Sequence, residues 1–261
     1  MTNTITFMTA NYVARETGYA MHGWGHGDRA TNEAFAPIGT YERRLDELLG
    51  GIRAAGFDAI DLWSAHLAPE WATDDHVTVA TRVLGRHGLR VVSYAAWIGP
   101  TNVERACELA LAVGTELIGG GIVGDPAQYP PILRKYGVRI GIENHPERTP
   151  AQVLATIEAG DGAFGAIVDT GWWGIQGYDP VRALEELAPH LLHVHLKDVL
   201  HEGEPHDTCR WGEGIVPIEA CVRALRRIGY AGAIAIEHEP ETYDPTAQCA
   251  EMLAELRSWL A

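Results

Sequence analysis

The chain has 261 residues, of which 46% are hydrophobic and 21% charged, a composition that supplies one sizeable core. Lys+Arg is 20 and Asp+Glu is 35, so the formal net charge is −15. That balance excludes a basic, counterion-releasing surface for nucleic acid and a surface attracted to anionic membranes.

Short apolar runs predict strands at 5–9 (ITFMT), 59–63 (AIDLW), 89–95 (LRVVSYA), 115–120 (TELIGG), 139–144 (RIGIEN), 165–170 (GAIVDT), 191–197 (LLHVHLK) and 233–239 (AIAIEHE). Several are near-continuous Val, Ile and Leu, as in parallel strands covered on their outer face. Between them, amphipathic periodicity predicts helices at 41–55, 74–87, 102–113, 150–159, 179–188, 217–228 and 245–260, with a weaker one at 126–136. Gly56, Gly88, Gly114, Gly137 and Gly229 stand where helices should stop. Thr101, Thr149 and Asp179 suit helix starts, and Pro150 and Pro180 follow two of them.

Eight strands alternating with eight helices predict a single (β/α)8 TIM barrel over residues 1–261, with a doubly wound open sheet as the main alternative. Long loops are expected at about 10–40 and 198–216, each after a strand C-terminus, where barrel enzymes carry their sites. Cys107, Cys209, Cys221 and Cys249 are far apart, form no CxxC and read as free thiols. The first residues lack a signal-peptide pattern and no apolar run spans a bilayer, so the expected location is the cytoplasm.

Four metal-competent residues end consecutive strands: Glu143 in RIGIENH, Asp169 in GAIVDTG, His195 in LLHVHLKD and Glu237 in AIAIEHE. If the alternating faces that carry them point inward, they converge at the barrel mouth. Three carboxylates and one imidazole suit one divalent ion, Mn²⁺ first, with Mg²⁺ or Co²⁺ as alternatives. Any one of these carboxylates alone would read as a solvated loop residue; four in register on successive strands do not.

The order Glu, Asp, His, Glu, with the pieces IENH (142–145), VDTG (168–171), HVHLKD (193–198), GEG (212–214) and IEHE (236–239), resembles the xylose-isomerase-like barrel superfamily. DLWSAHL (61–67), with His66, is similar too. The resemblance implies that Glu143, Asp169, His195 and Glu237 bind the metal. It also implies that Glu143 and Glu237 move a proton beside a metal-polarised carbonyl, through an enediolate.

Where ketose epimerases of that family tend to carry a histidine, this chain has Trp172, which suits stacking on a substrate. His145 shares the face of Glu143 if the strand stays extended, and is a candidate acid–base group, with Glu147 as a group that could orient it. Arg210, Lys197, His66 and Trp24 are candidate substrate contacts, and His206 a weaker one. His193 reads as a satisfied core histidine. His22 and His26 have HxxxH spacing, which suggests a metal only on a helix, and Gly23, Gly25 and Gly27 argue against a helix there. The GGG at 119–121 lacks a P-loop lysine and reads as close backbone approach.

The leading expectation is a metal-dependent isomerase or epimerase of a keto-sugar or cyclitol. The alternative is a lyase that uses the same proton abstraction for β-elimination, as in 3-keto-glycoside deglycosylation or inosose-type dehydration. The expected partner is a small carbohydrate, with no nucleic acid and no membrane. The sequence leaves open a homo-oligomer or a partner subunit.

Overall fold

The computed structural model describes residues 3–261. In chain order the strands are β1 (Ile5–Met8), β2 (Ala59–Trp63), β3 (Arg90–Ala95), β4 (Leu117–Gly120), β5 (Arg139–Glu143), β6 (Phe164–Asp169), β7 (Leu191–Leu196), β8 (Asp198–Val199), β9 (Thr208–Cys209) and β10 (Ala233–Ile236). The helices are α1 (Trp24–Phe35), α2 (Ile38–Ala54), α3 (Asp74–His87), α4 (Val103–Ala112), α5 (Pro130–Tyr136), α6 (Pro150–Ala159), α7 (Thr170–Ile175), α8 (Pro180–Leu187), α9 (Ile218–Arg227) and α10 (Thr246–Leu260).

Strands β1 to β7 and β10 close into a parallel barrel, with β10 hydrogen-bonded between β7 and β1. The fold is the expected (β/α)8 barrel, and each strand lies within a few residues of its predicted position. The five helix-stop glycines all adopt positive φ. Asp179 caps α8 by accepting from the N–H of Val181 and Arg182, with Pro180 in the first turn. Asn102 rather than Thr101 takes the N-cap position of α4.

The loop after β1 is not the open stretch expected. Residues 24–35 form α1, against the argument from its glycines. Gly27 is there for closeness rather than flexibility: a Cβ on it would stand 2.4 Å from Met21 Sδ and 2.5 Å from Val13 O. Packing against the loop's own apolar cluster outweighs the roughly 1 kcal/mol helix penalty of each glycine. The loop after β7 is likewise built rather than loose. The buried Asp198 accepts from the N–H groups of Val199, Gly212, Gly214 and Val216, and this pins the 212–216 turn beside the β8–β9 hairpin.

Below the mouth, the barrel interior is partly polar. Asp61 accepts from Thr6 and Ser93 and pairs with His193 Nε2 at 3.0 Å, while His193 Nδ1 bonds Ala233 O at 2.9 Å. Ile167 fills the remaining width: a Cβ on Gly119 or on Gly141 would strike it at 2.7 and 2.4 Å. One branched side chain therefore occupies the room that two glycines leave. Truncation by Ile167→Ala should leave a void there and destabilise the fold by about 2–5 kcal/mol, read as a lower urea midpoint with the slope unchanged.

Candidate metal centre

The parallel register brings the ends of β5, β6, β7 and β10 together. Asp169 is paired with His195 across β6 and β7, and His195 with Ala235 across β7 and β10. Glu237 follows β10 directly and is held by its N–H to Leu196 O. As a result Glu143, Asp169, His195 and Glu237 each present a ligand atom, all within 4.8 Å of one another. All but Glu143 are buried, and Glu143 is the member that reaches toward solvent.

The donor set fits a divalent ion. His195 Nδ1 lies 2.9 Å from Glu143 Oε1 and 2.7 Å from Glu237 Oε2. Yet His195 Nδ1, Glu237 Oε2 and Asp169 Oδ2 are buried and make no hydrogen bond of good geometry: their near neighbours are one another and the Lys197 ammonium. Buried polar atoms left unpaired are costly. One imidazole nitrogen facing carboxylate oxygens of Glu143, Asp169 and Glu237 is the arrangement a shared cation satisfies.

Neighbouring groups hold these ligands in place. Asp169 Oδ1 accepts from the N–H groups of Gly171 and Trp172, which leaves Oδ2 facing the centre. Asn144 clamps the Asp169 backbone from both sides, donating to its carbonyl and accepting from its N–H. Lys197 is 2% exposed and places its ammonium 2.6 Å from Glu237, 2.9 Å from Asp169 and 3.1 Å from Glu239. Its stem runs over Gly171, where a Cβ would meet it at 2.7 Å. Thr170 Oγ fixes its backbone, accepting from Lys197 N–H and donating to Lys197 O.

The electrostatics follow from this packing. Burial pushes the Asp169 carboxyl up to about 6, against the pull of Lys197. Burial opposes ionisation of Glu237 as well, but Lys197 and His195 outweigh it and hold that carboxyl below the usual range. Burial pushes the Glu239 carboxyl well up. For Lys197 the surrounding carboxylates, Asp169 first, overcome burial and keep the ammonium charged. Lys197 is thus committed to the carboxylates and is not free to reach a substrate oxygen.

Beyond the centre, the rim is aromatic. His145 Nδ–Nε ring, Trp172 and His206 form a run: His145 meets Trp172 edge-on at 4.0 Å, and Trp172 stacks on His206 at 4.6 Å. Trp97 stands on the other side of His145 at 5.5 Å. The strand does not stay extended to His145. Its N–H bonds Glu143 O, a tight turn that carries the ring to this wall instead of to the ligand cluster. Burial holds the His145 ring below its usual pKa, so the neutral imidazole is favoured. Glu147 makes no hydrogen bond to that ring. The neighbouring Trp173 is fully buried in the core, so the two adjacent tryptophans divide between wall and packing.

The other candidates are dispersed. His66 is buried between Phe35 and Trp63 with Nδ1 on Thr9 Oγ. Trp24 is exposed on the rim at the start of α1, 5.5 Å from Trp63. Arg210 is turned away from the mouth: Glu251 and Glu255 of α10 hold its guanidinium. The ion pairs explain this, since the acidic face of α10 lies within the reach of its long side chain. His22 and His26 stack on each other and join no ligand cluster among the described residues. His193 uses both ring nitrogens within the interior. Asn144 and Glu239, which carry the Asp169 clamp and the third Lys197 contact, had no assigned role in the sequence reading. Their position inside IENH and IEHE was the available signal.

A parallel barrel with a buried two-Glu, Asp, His cluster at the C-terminal ends of its strands defines a protein equipped for metal-dependent catalysis. A family model described as Xylose isomerase-like TIM barrel matches residues 128–259, just over half of the chain, and the chain belongs to that family. Among curated proteins, it is 29% identical over 117 residues to the uncharacterized protein MJ1311 of Methanocaldococcus jannaschii, covering 41% of this chain and 39% of that one. It is 35% identical over 74 residues to the uncharacterized protein YihM of Escherichia coli K12, covering 25% and 23%. The matches thus span well under half the length of these relatives.

Solved structures share the fold across the chain. The IolI protein with a bound zinc atom has a TM-score of 0.72 at 16% identity, covering 100% of this chain and 99% of that one. The probable 3-DHS dehydratase AsbF of Bacillus anthracis has 0.70 at 14%, covering 99% of both. A D-psicose 3-epimerase from Clostridium cellulolyticum H10 has 0.65 at 14%, covering 82% and 93%.

Two outcomes test this geometry. Titrating Mn²⁺ into metal-free protein should raise the melting temperature, with stabilisation of about 2.7 kcal/mol at a hundredfold excess over Kd; Asp169→Asn should remove the shift. Burial also pushes His66 down to about 3, so it folds as the neutral ring. The unfolded chain then binds one more proton than the folded chain between about pH 6.5 and 3, and stability falls on acidification through that window. In a urea-midpoint series against pH, His66→Gln should flatten that part of the slope.

Proposed function

We propose that this protein is a divalent-metal-dependent isomerase or epimerase acting on a keto-sugar or cyclitol, by moving a proton on a carbon next to the carbonyl. The convergence of Glu143, Asp169, His195 and Glu237 within 4.8 Å carries this reading. Those four residues would hold a divalent ion, Mn²⁺ preferred with Mg²⁺ or Co²⁺ as alternatives, which would supply Lewis acidity beside a substrate carbonyl.

The chain's own residues do the rest. Lys197 holds Glu237 ionised and in place, so this glutamate is unprotonated at neutral pH and can take up a proton only from a carbon made acidic beside the carbonyl. His145, neutral and on the aromatic wall, is the second group suited to carry a proton on the substrate's open side. Trp172, backed by His206, offers a flat apolar face for the C–H side of a sugar ring. Trp24 on the rim completes the candidate contacts, while His66, buried behind Trp63, can act only by positioning that ring. The −15 charge and the scarcity of cations at the mouth favour an uncharged carbohydrate over a phosphorylated one. A cytoplasmic setting is consistent with four buried free cysteines, and among the described residues no helix is long and apolar enough to cross a membrane.

A second reading keeps the same proton abstraction and ends in β-elimination of a substituent. What favours it is a cavity beside Glu143, walled by Trp97, that a bare monosaccharide at the cluster would not need.

Incubation of Mn²⁺-loaded protein with free keto-hexoses and inososes in D₂O tests the proton abstraction. Deuterium should enter the carbon next to the carbonyl, and Glu237→Gln and His145→Ala should each slow its entry by about 10²–10⁴-fold. An unchanged isotope pattern with every ketone offered would count against the whole reading.

A further inference from the structure

Glu237 stands just past the end of β10, where the barrel ladder has run out on one side. The last β1–β10 pair is Phe7 with Ile236. β1 ends at Met8, and the chain turns into a 3-10 helix over Thr9–Tyr12. In a parallel ladder alternate residues face the same neighbour. Ile234 donates its N–H to Thr4 O on the β1 side, so Ile236 and His238 face that side as well. The His238 N–H is therefore aimed where no strand continues. His238 is fully buried, and a buried N–H without an acceptor is costly.

Asn11 fills that place. It lies in the 3-10 turn and is fully buried. Its Nδ2 donates to Ile236 O at 3.0 Å, and its Oδ1 accepts from the His238 N–H at 2.8 Å. Nδ2 also lies 3.6 Å from Cys249 Sγ, so both ends of the amide are used. One side chain thus grips the peptide groups on both sides of Glu237, the carbonyl before it and the N–H after it. From the opposite flank, Leu196 O holds the Glu237 N–H at 3.2 Å. A primary amide carries the same donor and acceptor as a peptide group, so it can replace a strand for the length of one residue. Asp169, at the end of β6, is gripped in the same way by the amide of Asn144, which follows the neighbouring β5. His195 lies inside β7, where both neighbouring strands pair with it directly.

We propose that Asn11 is a positioning residue for Glu237: its amide takes the place of the strand that β1 no longer supplies, and so sets the direction in which the Glu237 carboxylate enters the metal centre. The proposal rests on the metal-dependent proton transfer proposed above, and it gives the loop after β1 a part in it. Glu237 Oε1 must meet Lys197 at 2.6 Å while Oε2 faces His195 Nδ1 at 2.7 Å. A short side chain that serves both tolerates little rotation of its backbone. Asn11 itself is closed off from substrate, so its effect falls on metal affinity and turnover and not on substrate binding.

The test compares wild type with Asn11→Leu, which keeps the size of the side chain and removes donor and acceptor together. Calorimetric titration should show the Mn²⁺ Kd weakened by about 10–100-fold. The visible absorption of the Co²⁺-loaded protein should change, because one ligand has moved. At saturating Mn²⁺, deuterium entry into a ketone that the wild type exchanges should be slower by about 10²-fold in kcat, with KM within about twofold. Tyr12→Phe is the control. It removes the 2.7 Å bond from Tyr12 to Thr246 between the same two loops and leaves the grip on Glu237 intact, so Kd, spectrum and kcat should stay at wild-type values. Asn11→Ser, which lets water reach the freed peptide groups, is read in the same way if Asn11→Leu does not fold. A folded Asn11 variant with a lowered urea midpoint but wild-type Mn²⁺ affinity and Co²⁺ spectrum overturns the proposal, because Asn11 then serves stability alone. A wild type that binds Mn²⁺ but exchanges no deuterium with any ketone overturns the isomerase reading, and Kd and spectrum still decide the role of Asn11. A wild type that binds no divalent ion overturns both.

Discussion

The arrangement at the mouth depends on one buried charge. Glu143, Asp169, Glu237 and Glu239 crowd into a space from which water is largely excluded, and mutual repulsion there would drive them to protonate or move apart. Lys197 answers that repulsion. Its ammonium touches three of the four, and it can do so because Gly171 gives its stem room and Thr170 fixes its backbone. A lysine buried this deeply keeps its charge because carboxylates surround it, and of these Glu237 is the one it in turn holds ionised against burial. This reciprocity holds the ligand geometry ready for a cation rather than letting it assemble when one arrives.

The supporting layers follow the same logic. Asp61, His193, Thr6 and Ser93 satisfy one another beneath the centre, so the interior below the ligands is polar without being unpaired. Asn144 and the first N–H groups of α7 take up every Asp169 group except the oxygen facing the centre. Around this fixed base stands a wall of rings: Trp97, His145 and His206 on loops, and Trp172 in the first turn of α7. Strand ends carry the candidate ligands, and the segments that follow them carry the rings of the rim, a division typical of barrels.

Much of this was legible in one dimension. Strand-end residues are readable because the period of two and the parallel register together determine where Glu143, Asp169 and His195 must fall once the barrel closes. Groups that leave the strand were not readable. His145 was expected on the inward face by alternation, and a turn at Glu143 moved it to the wall. Lys197 does share the His195 face, but its partner was decided by the carboxylates packed around it. Arg210 has a long, flexible side chain with acidic groups on two sides, and only the position of α10 shows which of them it meets. The α1 helix was obscured by its glycines, whose penalty is local while the packing that overrides it is not.

By itself the sequence determined the barrel, the strand ends at which Glu143, Asp169, His195 and Glu237 stand, and the acidic net charge of −15. These depend on periodicity and composition, which act along the chain. Tertiary structure decided which charges neutralise one another, which of two adjacent tryptophans faces the mouth, and that Glu147 and Trp97 share one cavity. Those outcomes depend on distances between segments far apart in sequence, and burial changes the energy of a charge only after those segments have met.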